Sequence, residues 1–85
     1  MQGPATLKRH AQLVDRMASA LGLDLEEETM RGHLTMDELT DAVLNCTGCT
    51  GTEDCTQWLA TRTTPETTPP AYCRNAHLFA ELRGA

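Results

Sequence analysis

The chain has 85 residues and four cysteines, and its 12 Asp and Glu against 7 Lys and Arg give a net charge of −5. A chain this short forms one domain and buries only about 60–65% of its unfolded surface, so its core is small. Domains of this size usually depend on a metal, disulfides or a partner for stability. The acidic balance argues against a nucleic-acid partner, because phosphates are bound by Lys and Arg.

The sequence also indicates the cellular compartment of the protein. The sequence has no run of 18 or more apolar residues, so we expect no membrane span. Its first ten residues lack the apolar segment and cleavage site of a secretory signal. We therefore expect a cytoplasmic protein, in a reducing compartment where clustered cysteines serve metals or redox chemistry more often than disulfides.

Two helices are predicted in the first third of the chain. Apolar residues recur at steps of three and four from Thr6 to Leu21, and Gly22 fits the end of that helix. We expect residues 1–5 to be a flexible N-terminus and the helix to cover the core. A short helix follows, with Asp24 as its cap and Gly32 as its stop.

The third helix has the clearest local signal. Thr35 and Glu38 form a capping box, in which each side chain bonds the other residue's backbone N–H. Apolar residues then follow at helical spacing. They are Met36, Leu39, Val43 and Cys46. The pattern predicts that this stripe is buried and that Cys46 lies at its end.

Two further helices are predicted after the third. Thr52 can cap a fourth helix over about 53–62, residues 63–70 have the Thr and Pro content of a loop, and a last helix covers about 71–83. No alternating strand pattern is present. We interpret residues 1–85 as a single all-α domain, a small bundle of four to five helices with a four-cysteine site in its C-terminal half.

The cysteines follow the pattern Cys46-x2-Cys49-x5-Cys55-x17-Cys73. Cys46 is predicted at a helix end, Cys49 in the turn, and Cys55 and Cys73 in the first turns of helices. The free N–H groups and partial positive charge at a helix N-terminus favour a thiolate over a thiol. We therefore predict that the four sulfurs form one site.

Several chemistries fit such a site. The preferred one is an iron–sulfur cluster of the [4Fe-4S] type, which four thiolates hold. A closed tetrahedral zinc site is the alternative, with His77 able to replace one cysteine. Two disulfides, or four thiols packed as small apolar residues, remain open. A redox dithiol at Cys46 and Cys49 would need a βαβ setting, which is absent. Trp58 is expected to shield the site.

The run from Cys46 through Cys49 to Cys55 resembles the cluster-binding run of WhiB-like regulators, and part of the cluster loop of endonuclease-III-type glycosylases. The resemblance implies that these three cysteines are cluster ligands carried by helices. In the WhiB-like family the fourth cysteine precedes the run, whereas Cys73 follows it here. The basic DNA-binding tail of that family is missing, so the resemblance does not extend to DNA binding.

A longer pattern covers about residues 7–83. Its blocks are Cys46-Thr47-Gly48-Cys49, Cys55-Thr56-Gln57-Trp58-Leu59 and Tyr72-Cys73-Arg74-Asn75-Ala76. This pattern resembles a family of short bacterial proteins known only as a domain of unknown function with four cysteines. The resemblance implies a single small helical domain and no established activity.

These observations predict a small metal-binding protein. We expect a cluster used in redox or iron sensing or in electron transfer, or else a non-catalytic interaction module that zinc or disulfides stabilise. No Ser/His/Asp group or Gly-rich phosphate loop is visible, so we expect no enzyme. We expect a protein partner of unknown identity, and neither nucleic acid nor membrane as a partner.

Overall fold

Five α-helices make up most of a computed structural model, which describes residues 4–62, 66 and 68–84, with side chains from residue 6 onward. The helices are α1 (Pro4–Ala20), α2 (Leu25–Met30), α3 (Met36–Thr47), α4 (Thr52–Thr61) and α5 (Ala76–Gly84). The described residues contain no strand. The radius of gyration is 12.2 Å, close to the value of about 12 Å expected for a globular chain of this length. The predicted all-α fold is therefore confirmed.

Local signals define the first three helices. Gly22 and Gly32 have φ of 78° and 80°, a left-handed conformation that favours glycine and ends a helix. The Asp24 side chain accepts the N–H of Glu27 at the start of α2. At the start of α3 the full capping box forms, since the Thr35 and Glu38 side chains each accept the other's backbone N–H.

The core lies mainly between α1, α3 and α5. Its buried members come from every described helix except α4. They are Val14, Met17, Ala18, Leu21, Leu25, Leu34, Ala42, Phe79 and Leu82. Helix α1 supplies the longest buried face and packs against both α3 and α4. Burying these side chains stabilises the fold by roughly 25 cal/mol per Å² of apolar surface removed from water.

Three predictions about elements need correction. Helix α4 begins at Thr52, and its N-cap is Gly51, which offers no side-chain hydrogen bond. Helix α5 begins at Ala76 rather than near residue 71, because residues 71–75 form turns. Met36 was expected in the buried stripe of α3, but 64% of its surface is exposed.

The ends and the long loop are described only in part. Helix α1 begins at Pro4, and residues 1–3 of the predicted flexible N-terminus lie outside the described residues. Residues 63–65 and 67 of the predicted loop also lie outside them. The backbone N–H of Glu66 donates to the carbonyl oxygen of Ala20 at 3.0 Å, so the loop passes the end of α1. Among the described residues, no helix has the length and apolar character needed to cross a bilayer.

Candidate metal centre

Four segments bring the four cysteines to one pocket. Cys46 lies in the last turn of α3, Cys49 in the turn after it, Cys55 on α4, and Cys73 in the turns before α5. All four line a single cavity of about 20 Å³. Each is a half-buried free thiol. The structure thus brings together every cysteine that the sequence analysis selected.

Backbone amides donate hydrogen bonds to two of the sulfurs. The N–H of Gly51, at the N-cap of α4, donates to the Cys49 sulfur at 3.3 Å. The Cys49 S–H is 3.6 Å from the carbonyl oxygen of Tyr72, to which it donates. Cys73 accepts the backbone N–H of Asn75, the residue before α5. Helix N-terminal amides therefore reach Cys49 and Cys73, whereas the sequence had predicted this for Cys55 and Cys73.

Burial and the charges of neighbouring thiols raise the pKa of three of the four cysteines. Burial, with the charges of the other three cysteines, raises the pKa of Cys46 to about 11. Burial also raises the pKa of Cys55. The charges of Cys73 and Cys49 raise this pKa further, while that of Arg16 lowers it. For Cys73, burial raises the pKa, the Asn75 amide lowers it, and Cys49 raises it again. A cation between the sulfurs would reverse this effect, because thiolates gathered around a metal are stabilised by its charge.

The walls of the pocket are mostly apolar. Helices α1 and α5 supply the apolar part, with Leu13, Val14, Met17 and Phe79. Thr52 and Arg74 are among the polar residues at its edge. An apolar wall limits water at a metal site and so influences its potential and reactivity.

Asn75 fixes the Cys73 turn to α3. Its side chain is buried, with 4% of its surface exposed. The amide nitrogen Nδ2 donates to the carbonyl oxygen of Ala42 at 2.8 Å, and its Oδ1 accepts from Asn45 at 3.4 Å. Because buried polar groups are costly unless they are hydrogen-bonded, these bonds specify where Cys73 sits.

Tyr72 closes the other side of the pocket. A Cβ built on Gly51 would lie 2.8 Å from Cδ1 of the Tyr72 ring, so the ring packs directly on the glycine. Trp58 was predicted to shield the site, yet it is not in the pocket lining. It packs against the core, with the Arg62 guanidinium 5.9 Å above its ring.

Sequence reasoning did not assign roles to Tyr72 and Asn75. The available signal was their position, because they flank Cys73 within one short run. His77 was considered as a replacement ligand, but it lies outside the pocket lining. Its Nε2 instead pairs with Glu81 at 2.8 Å on the surface of α5.

The four thiols do not form a preassembled single-ion site. Among the residues that the structure describes, no three His, Cys, Asp or Glu side chains are placed to hold one metal ion. Four sulfurs around one zinc would lie about 4 Å apart, because a Zn–S bond is about 2.3 Å. The pocket therefore gathers the four thiols at one place without a preformed three-ligand set for one ion.

Together, the fold and the pocket define a small all-α domain that collects four free cysteines at one site. The chain belongs to a family of unknown function, DUF6455, whose model matches residues 1–85. This confirms the expected membership of a domain family without an assigned activity. No curated protein and no solved structure matches the chain.

Proposed function

We propose that Cys46, Cys49, Cys55 and Cys73 bind a [4Fe-4S] cluster and that the protein serves in redox or iron sensing or in electron transfer. The observation that carries this proposal is that every cysteine of the chain lines one pocket. Four thiolates are the usual ligand set of such a cluster. A bound cluster takes up and releases single electrons, which is the chemistry that these roles need.

The charges around the pocket support an anionic group. Four thiolates around a 2+ cluster carry a net charge of about −2, because ligating thiols are deprotonated. Arg74 lines the pocket, and Arg16 acts on Cys55 from α1. The positive charges of these two arginines have the sign that favours an anionic group.

A structural zinc is the second candidate, and the size of the cavity favours it. A volume of about 20 Å³ holds roughly one water molecule, so a single ion enters it with less movement than a cluster does. A cluster is larger than this cavity, so the residues that line it would have to open to admit one. Tyr72 and Cys73 lie outside the helices, so a movement there would break no helical hydrogen bond.

We propose a non-catalytic and cytoplasmic role. The pocket lining is largely apolar apart from its thiols, and it offers few polar groups to bind and orient a substrate. The acidic chain gives no support to a nucleic-acid partner. Cysteines that stay reduced fit a reducing compartment, and all four are free in this structure.

The direct test is purification without oxygen from cells supplied with iron and sulfide. We expect brown protein that absorbs visible blue light, with about four iron and four sulfide per chain. Colourless protein with one zinc per chain would overturn the cluster and support the structural site. Metal-free protein would overturn both, and titration of its thiols would then separate free cysteines from disulfides.

Two variants give the matched comparison. Cys73→Ser removes one proposed ligand, and we expect the metal content to fall to less than one tenth. Thr50→Ala changes an exposed residue of the same cysteine-rich turn that does not line the pocket, and we expect full metal content. Equal metal content in the two variants would show that Cys73 is not a ligand.

A further inference from the structure

A second surface, separate from the cysteine pocket, lies between α1 and α3. Two adjoining cavities of about 430 and 330 Å³ share Ala11 and Val43 and together form one groove. Along α1 it runs from Leu7 to Asp15, about 12 Å at 1.5 Å per residue. That length matches about two turns of a helix. We call this surface the α1–α3 groove.

The exposed large apolar side chains of the described residues collect at this groove. Met30 is 81% exposed, Met36 64% and Leu44 50%. Met30 and Met36 line the larger cavity, and Leu44 lines the smaller one. Scattered apolar residues on a surface are ordinary, but a contiguous group beside a groove marks an interaction site. Methionine suits such a site because its flexible side chain adapts to a partner.

The apolar pattern of α3 also indicates an interaction surface. Met36 belongs to a helical stripe that predicts burial, yet 64% of its surface is exposed and no other member of the stripe is fully buried. Leu39 and Val43 are half-buried and both line the larger cavity. The uncovered part of the stripe is therefore available to a second molecule.

The charges at the two ends of the groove differ. Asp15 and Glu26 line the larger cavity, and Lys8 lines the smaller one. Among the described residues, neither Asp15 nor Glu26 is in an ion pair. The neighbouring Glu27 and Glu28 are engaged by Arg31 and His33. The α2 end of the groove thus presents two carboxylates to whatever occupies it.

We propose that the α1–α3 groove binds an amphipathic helix of a protein partner, whose apolar face fills the groove and whose basic end meets Asp15 and Glu26. Helix-in-groove recognition uses apolar anchors at steps of three, four and seven residues. Opposite charges at the rim set the orientation of the partner and exclude acidic competitors. The groove shares no lining residue with the cysteine pocket and does not depend on the metal proposal.

Two other occupants fit the surface less well. A second copy related by two-fold symmetry would set the same concave surface against itself, which leaves both grooves unfilled. An anionic membrane would be repelled by the carboxylates at the α2 end. A convex, basic helix satisfies both the shape and the charge.

The test uses two synthetic 14-residue peptides with the same Leu and Met residues at helical spacing. One peptide carries lysines at one end, and its control carries glutamates at the same positions. Binding to the full chain is followed by backbone amide NMR shifts. We expect shifts in α1, α2 and α3 around the groove, and an affinity for the lysine peptide at least ten-fold higher.

A charge exchange sharpens the test. Asp15→Lys changes the α2 end of the groove, whereas Glu53→Lys makes the same change on an exposed residue of α4. We expect Asp15→Lys to reverse the peptide preference and Glu53→Lys to leave it in place. Equal binding of both peptides, shifts outside the groove or no binding would overturn the proposal. NMR shifts in the groove that change when the protein is diluted would assign the surface to a second copy. Stronger binding to anionic vesicles would assign it to a membrane. Either result would overturn the proposal.

Discussion

Helices α3 and α4 are neighbours in the chain, but they meet the rest of the molecule in different ways. α3 starts with a complete capping box and buries Ala42. α4 starts at Gly51 without a side-chain cap, and none of its residues is fully buried. It reaches the core through three half-buried side chains, those of Cys55, Trp58 and Leu59.

The difference shows where each half of the molecule gets its stability. The first half depends on apolar burial along α1 and on local caps, which need nothing from outside the chain. In the cysteine-bearing half, α5 also buries Phe79 and Leu82, whereas the region from Cys46 to Asn75 depends on half-buried thiols, a packed tyrosine and the hydrogen bonds of Asn75. A metal at the cysteines would add the stabilisation that α4 lacks, because binding energy at a structural site is also folding energy.

The largest effect is expected from an apolar core substitution. Phe79 is 1% exposed, so Phe79→Ala should lower the free energy of unfolding by about 3–5 kcal/mol. Leu59→Ala on α4 removes a half-buried side chain and should cost less than half as much. Urea denaturation of both variants measures the two losses. Equal losses of unfolding free energy would contradict the expectation that the buried core contributes more stability than α4.

A glycine pair then tests the packing of Tyr72. Gly51→Ala places a methyl group 2.8 Å from the Tyr72 ring and should cost about 1–3 kcal/mol through overpacking. Gly48→Ala is the control, because its Cβ would meet its nearest atom at an ordinary 3.5 Å and should change stability by less than about 0.5 kcal/mol. Thermal unfolding measures both variants. A neutral Gly51→Ala would show that the ring does not lie against this turn.

The next largest loss of stability is expected from the buried side-chain amide of Asn75. Asn75→Ala removes the hydrogen bond to the Ala42 carbonyl and should cost about 1–2 kcal/mol. Asn45→Ala removes only the longer and more exposed partner and should cost less than about 0.5 kcal/mol. Hydrogen exchange of the amides in residues 73–79 should rise in the first variant alone. Unchanged exchange would contradict the role of Asn75 in holding the Cys73 turn.

The smallest effect is expected from pH in the metal-free, reduced protein. The pKa of Cys46 in the folded chain is about 11, above its ordinary value near 9, because of burial and the other thiols. The folded state therefore holds this proton more tightly than the unfolded state. The stabilisation is complete below about pH 9 and is lost as the pH rises towards 11. Solvent screening of a half-exposed thiol keeps the loss below about 1 kcal/mol.

Urea denaturation at pH 8 and pH 10.5 measures that loss. Cys46→Ala supplies the control, since it lacks the titrating thiol and should lose less stability over the same interval. A Cys46→Ala variant that loses as much as the unchanged protein would assign the effect to other groups.

Features that depend on residues close together in the chain could be predicted from the sequence. The capping box of Thr35 and Glu38, the Asp24 cap and the glycine stops all involve contacts within about five residues, so local pattern was enough. The sequence also selected the four cysteines, because their crowding is visible without a fold. The predicted starts of α4 and α5 needed correction, because turns that direct side chains into a pocket compete with helix formation.

The surroundings of the cysteines and the exposure of particular apolar side chains could not be predicted, because they depend on how distant segments pack. Tyr72 meets Gly51, and Asn75 meets Ala42, across 21 and 33 positions of the chain. Local periodicity carries no information about such distant contacts. The same reason explains Met36, whose helical spacing predicts an apolar face but does not say which neighbour covers it. In this chain no described segment covers it, which leaves the α1–α3 groove open.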